Sequence, residues 1–230
     1  MIIEKGSVEL FNEKHIARHE RQLSWLKEDL SAGGTDAEGL IAELQAFQVA
    51  IPSWALGTGG TRFGRFPGGG EPGSLEQKIE DIGLLHALNK SSGAVSLHIP
   101  WDIPEDAGRI KMLAENHGIR FDAVNSNTFQ DQKGQARSYK FGSLSHTEAA
   151  VRKQAVEHNL AVIRHGIELG SRSLSLWLSD GSCFPGQQNF ARAFNYTLES
   201  LREIYSALPA DWQLLVEYKP YEPNFYSTVI

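Results

Sequence analysis

The chain has 230 residues, 41% of them hydrophobic and 22% charged, which gives one large globular domain enough apolar surface for a substantial core. A formal net charge of -6 with no basic block argues against a nucleic-acid backbone or an anionic membrane as the main partner and leaves a small neutral substrate as the better fit. Cys183 is the single cysteine, so neither an intrachain disulfide nor a four-cysteine zinc site can form. The stretch Met1-Ile-Ile-Glu-Lys5 lacks the apolar core of a signal peptide, and no segment approaches the ~18 apolar residues of a membrane span, so a cytoplasmic location is expected. The Asn-x-Ser/Thr triplets at Asn89 and Asn195 are then chance matches.

From about Val8 to Leu30, Ile16, Leu23, Leu26 and Leu30 recur at helical spacing and Gly33-Gly34 ends the pattern, which predicts an amphipathic helix. His15 and His19 fall one turn apart on it, but no third ligand stands nearby, and a solvated face is the better reading. A short helix over 37–47 leads into the first strand candidate, Val49-Ala-Ile-Pro-Ser-Trp54. The glycine-rich segment 57–70 lacks the Gly-Lys-Ser/Thr ending of a P-loop, and Arg62 stands at the last glycine position of a dinucleotide pattern. A loop of this length carrying Arg62, Phe63, Arg65 and Phe66 is expected to be a lid or a contact to another subunit.

Ser74-Leu-Glu-Gln77 is a capping-box pattern, and Leu75, Ile79, Ile82 and Leu85 continue a helix to Asn89. The second strand, Val95-Ser-Leu-His-Ile99, stops at Pro100, which cannot donate to a sheet ladder, and so sets His98, Trp101 and Asp102 at a strand end where they suit the wall of a pocket. A helix over 105–117 precedes a strand at 121–127, with Asn125, Asn127 and Phe129 at its far end. A long helix over 148–169, carrying Val156, Leu160, Ile163 and Ile167 on one face, stops at Gly170 before the strand 173–179, which ends in Trp177 with Asp180 just beyond. Phe190, Phe194, Leu198, Leu201 and Leu208 mark a last helix, and Trp212-Gln-Leu-Leu-Val-Glu-Tyr-Lys219 is the fifth strand.

Strand and helix alternate about five times with no composition break, which predicts an α/β fold of parallel strands with right-handed crossovers. An open sheet concentrates ligand contacts at one switch point, whereas a barrel collects them from many strand ends. Trp54, His98 with Trp101, Asn127 with Phe129, Trp177, and Glu217 with Lys219 spread over all five ends, which favours a barrel. Aromatic walls with a few fixed polar groups suit a polyol, since rings pack on C–H faces while imidazole, amide and carboxylate take the hydroxyls. Glu217 and Lys219 share one side of the last strand, and either their mutual salt bridge or a metal ion would accompany the carboxylate.

The motifs Pro52-Ser-Trp54, Gly57-Thr-Gly-Gly-Thr-Arg-Phe63, Ser96-Leu-His-Ile-Pro-Trp-Asp102, Phe121-Asp-Ala-Val-Asn-Ser-Asn-Thr-Phe129, Tyr139-Lys-Phe-Gly-Ser-Leu-Ser-His-Thr147, Ala155-Val-Glu-His-Asn-Leu160 and Tyr221-Glu-Pro-Asn-Phe-Tyr-Ser-Thr228 stand in order along the chain. Together they closely resemble the broad-specificity bacterial L-rhamnose isomerases of the xylose-isomerase-like barrel class. The resemblance runs from about Val49 onward and implies a metal-dependent aldose–ketose isomerase on a (β/α)8 TIM barrel, with two divalent ions per site, Mn2+ by expectation, and a homotetramer. By the same resemblance Glu217 is a metal ligand, and Lys219 acts on the substrate oxygens near C1 and C2. His98 assists ring opening, while Trp54, Trp101, Phe129 and Trp177 line the sugar pocket and Phe63 reaches into a neighbouring subunit's pocket.

The family continues for several more strand–helix units that carry further metal ligands, so the expectation is an N-terminal helical segment, 1–47, and a partial TIM-barrel domain, 48–230, truncated after about five βα units. Two rival functions stay open. One is a sugar 3-epimerase on a related barrel, using paired carboxylates; the other is a non-catalytic fragment that associates with a complementary polypeptide.

Overall fold

A computed structural model of the protein describes residues 5–56, 69–178 and 188–218. The chain opens with helix α1, Lys5–Ala32, and helix α2, Ala37–Ala46, whose first turn is capped by the Asp36 carboxylate accepting from the Gly39 N–H at 3.0 Å. A Lys27–Glu38 ion pair at 2.8 Å ties the two helices. The apolar stripe expected on α1 is only half covered: Val8 is buried, Leu23 and Leu30 are half-buried, and Ile16 and Leu26 are exposed. Among the described residues this helix packs against α2 and α3, and much of its stripe stays exposed.

Five strands then alternate with helices: β1 (Ala50–Pro52), α3 (Leu75–Asn89), β2 (Ala94–Ile99), α4 (Ala107–Asn116), β3 (Arg120–Ser126), α5 (Ala149–Leu169), β4 (Ser173–Trp177), α6 (Phe190–Ser206) and β5 (Gln213–Glu217). All pairings are parallel and the spatial order is β1-β2-β3-β4-β5, the same as the chain order. A doubly wound sheet reverses its strand order at a switch point; here the order never reverses, which is the winding of a (β/α) barrel.

Local chemistry sets the element ends. The Ser74 hydroxyl accepts from the Gln77 N–H at 3.3 Å, and the Gln77 side chain reaches back to accept from the Gly73 N–H at 2.7 Å, so the reciprocal cap expected from sequence forms one residue wider. Helix α5 closes on Gly170 at φ +88, a left-handed position that glycine takes without strain. The core lies between sheet and helices. Leu97, Ile99, Val124, Leu174 and Leu176, at 0–1% exposure, point outward onto Ile79, Ile82, Ile110, Val162, Ile163 and Ile204 of the helices. Each such side chain contributes roughly 1.5–3 kcal/mol by leaving water. Because side chains alternate along a strand, Ser96, His98, Asn125, Ser175 and Trp177 take the opposite, inner face. Between β2 and β3 the register shifts once: Val95 pairs with Phe121, but Leu97 pairs with Val124 and His98 with Asn125, so β3 carries one extra residue there. Among the described residues no helix is long and apolar enough to cross a membrane.

Candidate active site

The inner face gathers an aromatic cage at the C-terminal strand ends, the end at which barrels place their sites. His98, the penultimate residue of β2, is 1% exposed and sits at its centre. Trp101, in the turn after β2, stacks on the imidazole with ring centroids 4.1 Å apart. Trp54, Phe129 and Trp177 present edge-on contacts to it at 5.2, 5.7 and 5.9 Å. Phe129 stacks on Trp177 at 4.9 Å, and Trp54 meets Trp177 edge-on at 6.3 Å, so three of the four walls also brace one another. The structure therefore brings together five of the residues singled out from sequence. Trp54 differs in its setting: it lies on the 3-10 turn Ser53–Ala55, because β1 ends earlier, at Pro52.

Neither ring nitrogen of His98 has a hydrogen-bond partner among the described residues. Burial among carbon rings pushes the imidazole pKa down to about 3; the nearby Asp102 carboxylate opposes the shift, while His158 and Lys78 reinforce it. The result is a neutral base, sealed by hydrocarbon, with both nitrogens uncommitted. Asn127, just past β3, is likewise 1% exposed, and its side-chain oxygen and nitrogen find no partner among the described residues. Asn125 is committed, donating from Nδ2 to the Leu97 carbonyl at 3.0 Å.

Asp102 does not line the pocket as the sequence suggested. It is 2% exposed and fully engaged: it accepts from Lys78 Nζ at 2.6 Å, from the His98 N–H at 2.9 Å and from the Ser53 hydroxyl. Lys78 and Ser53 were missed in sequence, although Lys78 carries a signal, a lysine three residues after Leu75 and four before Ile82 on the apolar stripe of α3. His158 on α5 was missed too. Its Nε2 accepts from the Asn127 N–H at 3.2 Å and the ring also bonds the Ile99 backbone, so it fastens the ends of β2 and β3 from outside, with its pKa lowered by burial.

Glu217, the last residue of β5, pairs in parallel register with Trp177 and so shares the inner face of the cage. Its side chain is exposed among the described residues. As a single hard oxygen donor it suits a divalent ion, but among the described residues no group of three or more His, Cys, Asp or Glu stands close enough to hold one. Lys219 and Phe63 lie outside the described residues, as do Arg62, Arg65, Phe66, Asp180 and Cys183.

No family model matches the chain. In sequence it is 51% identical over 210 residues to a protein of Rhizobium meliloti strain 1021 named "probable sugar isomerase", covering 91% of this chain and 49% of that protein. It is also 51% identical over 227 residues to a like-named protein of Mesorhizobium japonicum, covering 97% of this chain and 53% of that one. The chain thus spans about half the length of the curated relatives it matches. Among solved structures it is similar to the apo form of a 3-keto-D-glucoside 4-epimerase from E. coli, at a TM-score of 0.51 and 9% identity over 70% of this chain and 56% of the other. At that identity the likeness shows the fold alone, parallel strands alternating with helices.

Proposed function

We propose that the protein acts as an aldose–ketose isomerase on a small sugar, with L-rhamnose to L-rhamnulose as the reaction to test first. The observation that carries this reading is the neutral imidazole of His98, with both nitrogens free, inside four aromatic rings. Rings of this kind pack on the C–H faces of a sugar and exclude water, and a neutral imidazole exchanges a proton with a ring oxygen or its hydroxyl without first being deprotonated. In this reading His98 accepts the proton of the anomeric hydroxyl and returns one to the ring oxygen as the bond between C1 and that oxygen breaks. Trp54, Trp101, Phe129 and Trp177 hold the carbon skeleton, and Glu217 presents its carboxylate from the neighbouring strand end.

The reading includes a divalent ion, Mn2+, held by Glu217 with ligands beyond the described residues; when bound, it supplies Lewis-acid polarisation of the sugar oxygens. Lys219, working near C1 and C2, Phe63, reaching from a second subunit, and a tetrameric assembly belong to the same proposal. Support comes from the names of the two relatives and from the placement of the cage at the C-terminal strand ends.

The test is incubation of the protein, carried on to the length of its relatives, with L-rhamnose and Mn2+ and identification of the products. L-rhamnulose formation, lost in His98→Asn without loss of the folded state, is expected. Epimerisation of a ketose at C3 with no aldose–ketose conversion would replace this reading by the epimerase.

A further inference from the structure

Beneath the cage lies a buried ion pair that the proposed chemistry does not use. Lys78 is 8% exposed and Asp102 2%, with 2.6 Å between Nζ and Oδ1. Such a pair is a poor device for stability, because taking two charges out of water costs several kcal/mol per ion and an apolar pair of similar volume commonly does as well. Its position tells more. The second carboxylate oxygen, Oδ2, accepts from the His98 N–H and from the Ser53 hydroxyl, and the Asp102 N–H donates back to the His98 carbonyl at 2.9 Å. The turn 98–102 is therefore closed at both ends by one residue. Three of the cage rings hang directly on this network: His98 belongs to it, Trp101 precedes Asp102, and Trp54 follows Ser53.

We propose that Lys78 is the positioning residue of the site: its ion pair with Asp102 locks the turn that lays His98 against Trp101, and it cancels the carboxylate's field at the imidazole. The inference rests on reading the cage as a working sugar site, although neither of its consequences needs a substrate to be seen. Among the described residues, the groups that act electrostatically on His98 are Asp102 in the turn after its own strand, Lys78 from α3 and His158 from α5. Asp102 alone would draw a proton onto the imidazole. Lys78 and His158 push the other way, and Lys78 is the one of these held in contact with the carboxylate. Without Lys78 the buried carboxylate would lose its counter-charge, and the imidazole becomes the next group able to supply one.

The experiment follows the His98 side chain by NMR titration and the tryptophans by near-ultraviolet circular dichroism, in Lys78→Met, Lys78→Arg, Asp102→Asn and the double variant Lys78→Met/Asp102→Asn. In Lys78→Met the proton affinity of His98 should rise tenfold or more and the tryptophan band should weaken. Lys78→Arg should keep the wild-type titration, and Asp102→Asn should not raise the affinity. If Lys78→Met fails to fold, the double variant, which buries no unpaired charge, replaces it; its His98 should bind a proton several times more tightly than in Asp102→Asn. A Lys78→Met protein that melts earlier but keeps the wild-type His98 titration and tryptophan band would overturn the inference and leave an ordinary structural ion pair. Absence of isomerase activity in the wild type would sink the functional reading while leaving these readouts intact.

Discussion

The imidazole of His98 and the indole of Trp101 lie nearly parallel, 4.1 Å apart with 19° between their planes, so one whole face of the base is covered by carbon rather than water. Trp101→Ala opens that face. The imidazole pKa should then climb from about 3 toward its ordinary 6.5, and stability should fall by about 2 kcal/mol, less than for a fully buried tryptophan because Trp101 is half-buried. NMR titration and urea unfolding measure the two effects separately. A His98 that stays neutral to the same low pH in the variant would assign the shift to the other three rings.

The depressed imidazole also sets an acid flank. Its folded pKa lies below its unfolded one, so between about 6.5 and about 3 the unfolded chain binds the extra proton. Stability is full above pH 6.5 and is lost as pH falls toward 3, at up to about 1.4 kcal/mol per pH unit from this group. Burial lowers His158 and His146 as well, which steepens the same flank. Urea midpoints across this range should show a shallower decline in His98→Asn than in the wild type; parallel curves would contradict the assignment.

The helices and strands were legible because their signals are local. Apolar spacing, the Ser74 cap and the Gly170 stop fall where the structure has them, and the aromatic residues at successive strand ends pointed to one cage. What was not legible is what depends on partners distant in sequence. Nothing near Asp102 shows that Ser53 and Lys78, 49 and 24 residues away, will consume its carboxylate. The half-covered stripe of α1 was hidden for the same reason, since periodicity says which face is apolar but not what meets it. Trp54 was placed on a strand because Val49 to Trp54 reads as one apolar run, whereas β1 stops at Pro52 and turns.

Gly166 separates two general expectations. Glycine within a helix normally costs about 1 kcal/mol relative to alanine, so Gly166→Ala should stabilise on propensity alone. Here a Cβ would lie 2.6 Å from the Trp212 ring and 2.8 Å from a Val124 methyl, in the packed layer between α5 and the sheet. Overpacking of that kind costs about 1–3 kcal/mol. The variant should therefore be net destabilised by about 1 kcal/mol, read as a lower urea midpoint at unchanged slope, and a stabilised variant would mean that Trp212 yields without cost.

Glu217 gives the metal part of the proposal its own check. Glu217→Gln keeps the size and removes the charge, and Mn2+ affinity by calorimetry should fall at least tenfold. Unchanged affinity would take Glu217 out of the ligand set without touching the cage.

Beside it, Leu215 and Val216 are 45% and 39% exposed on β5, a strand with one pairing edge open among the described residues. Such an edge is a template for association, so the purified 230-residue chain should scatter light as oligomers or aggregates, and Val216→Lys should reduce this. A monodisperse monomer would refute it.

The extra residue in β3 opposite Val95–Leu97 acts as a phase setter for everything downstream on that strand. Below it and above it the pairing with β2 differs by one position, and one position turns each side chain to the opposite face. If β3 ran through here as a regular strand without losing a residue, Val124, three positions after Phe121, would turn into the polar interior and Asn125 into the apolar layer under α5. Chimeras made with longer relatives must therefore be joined so that this offset travels intact with β3, and equal residue counts on either side of a junction do not guarantee it.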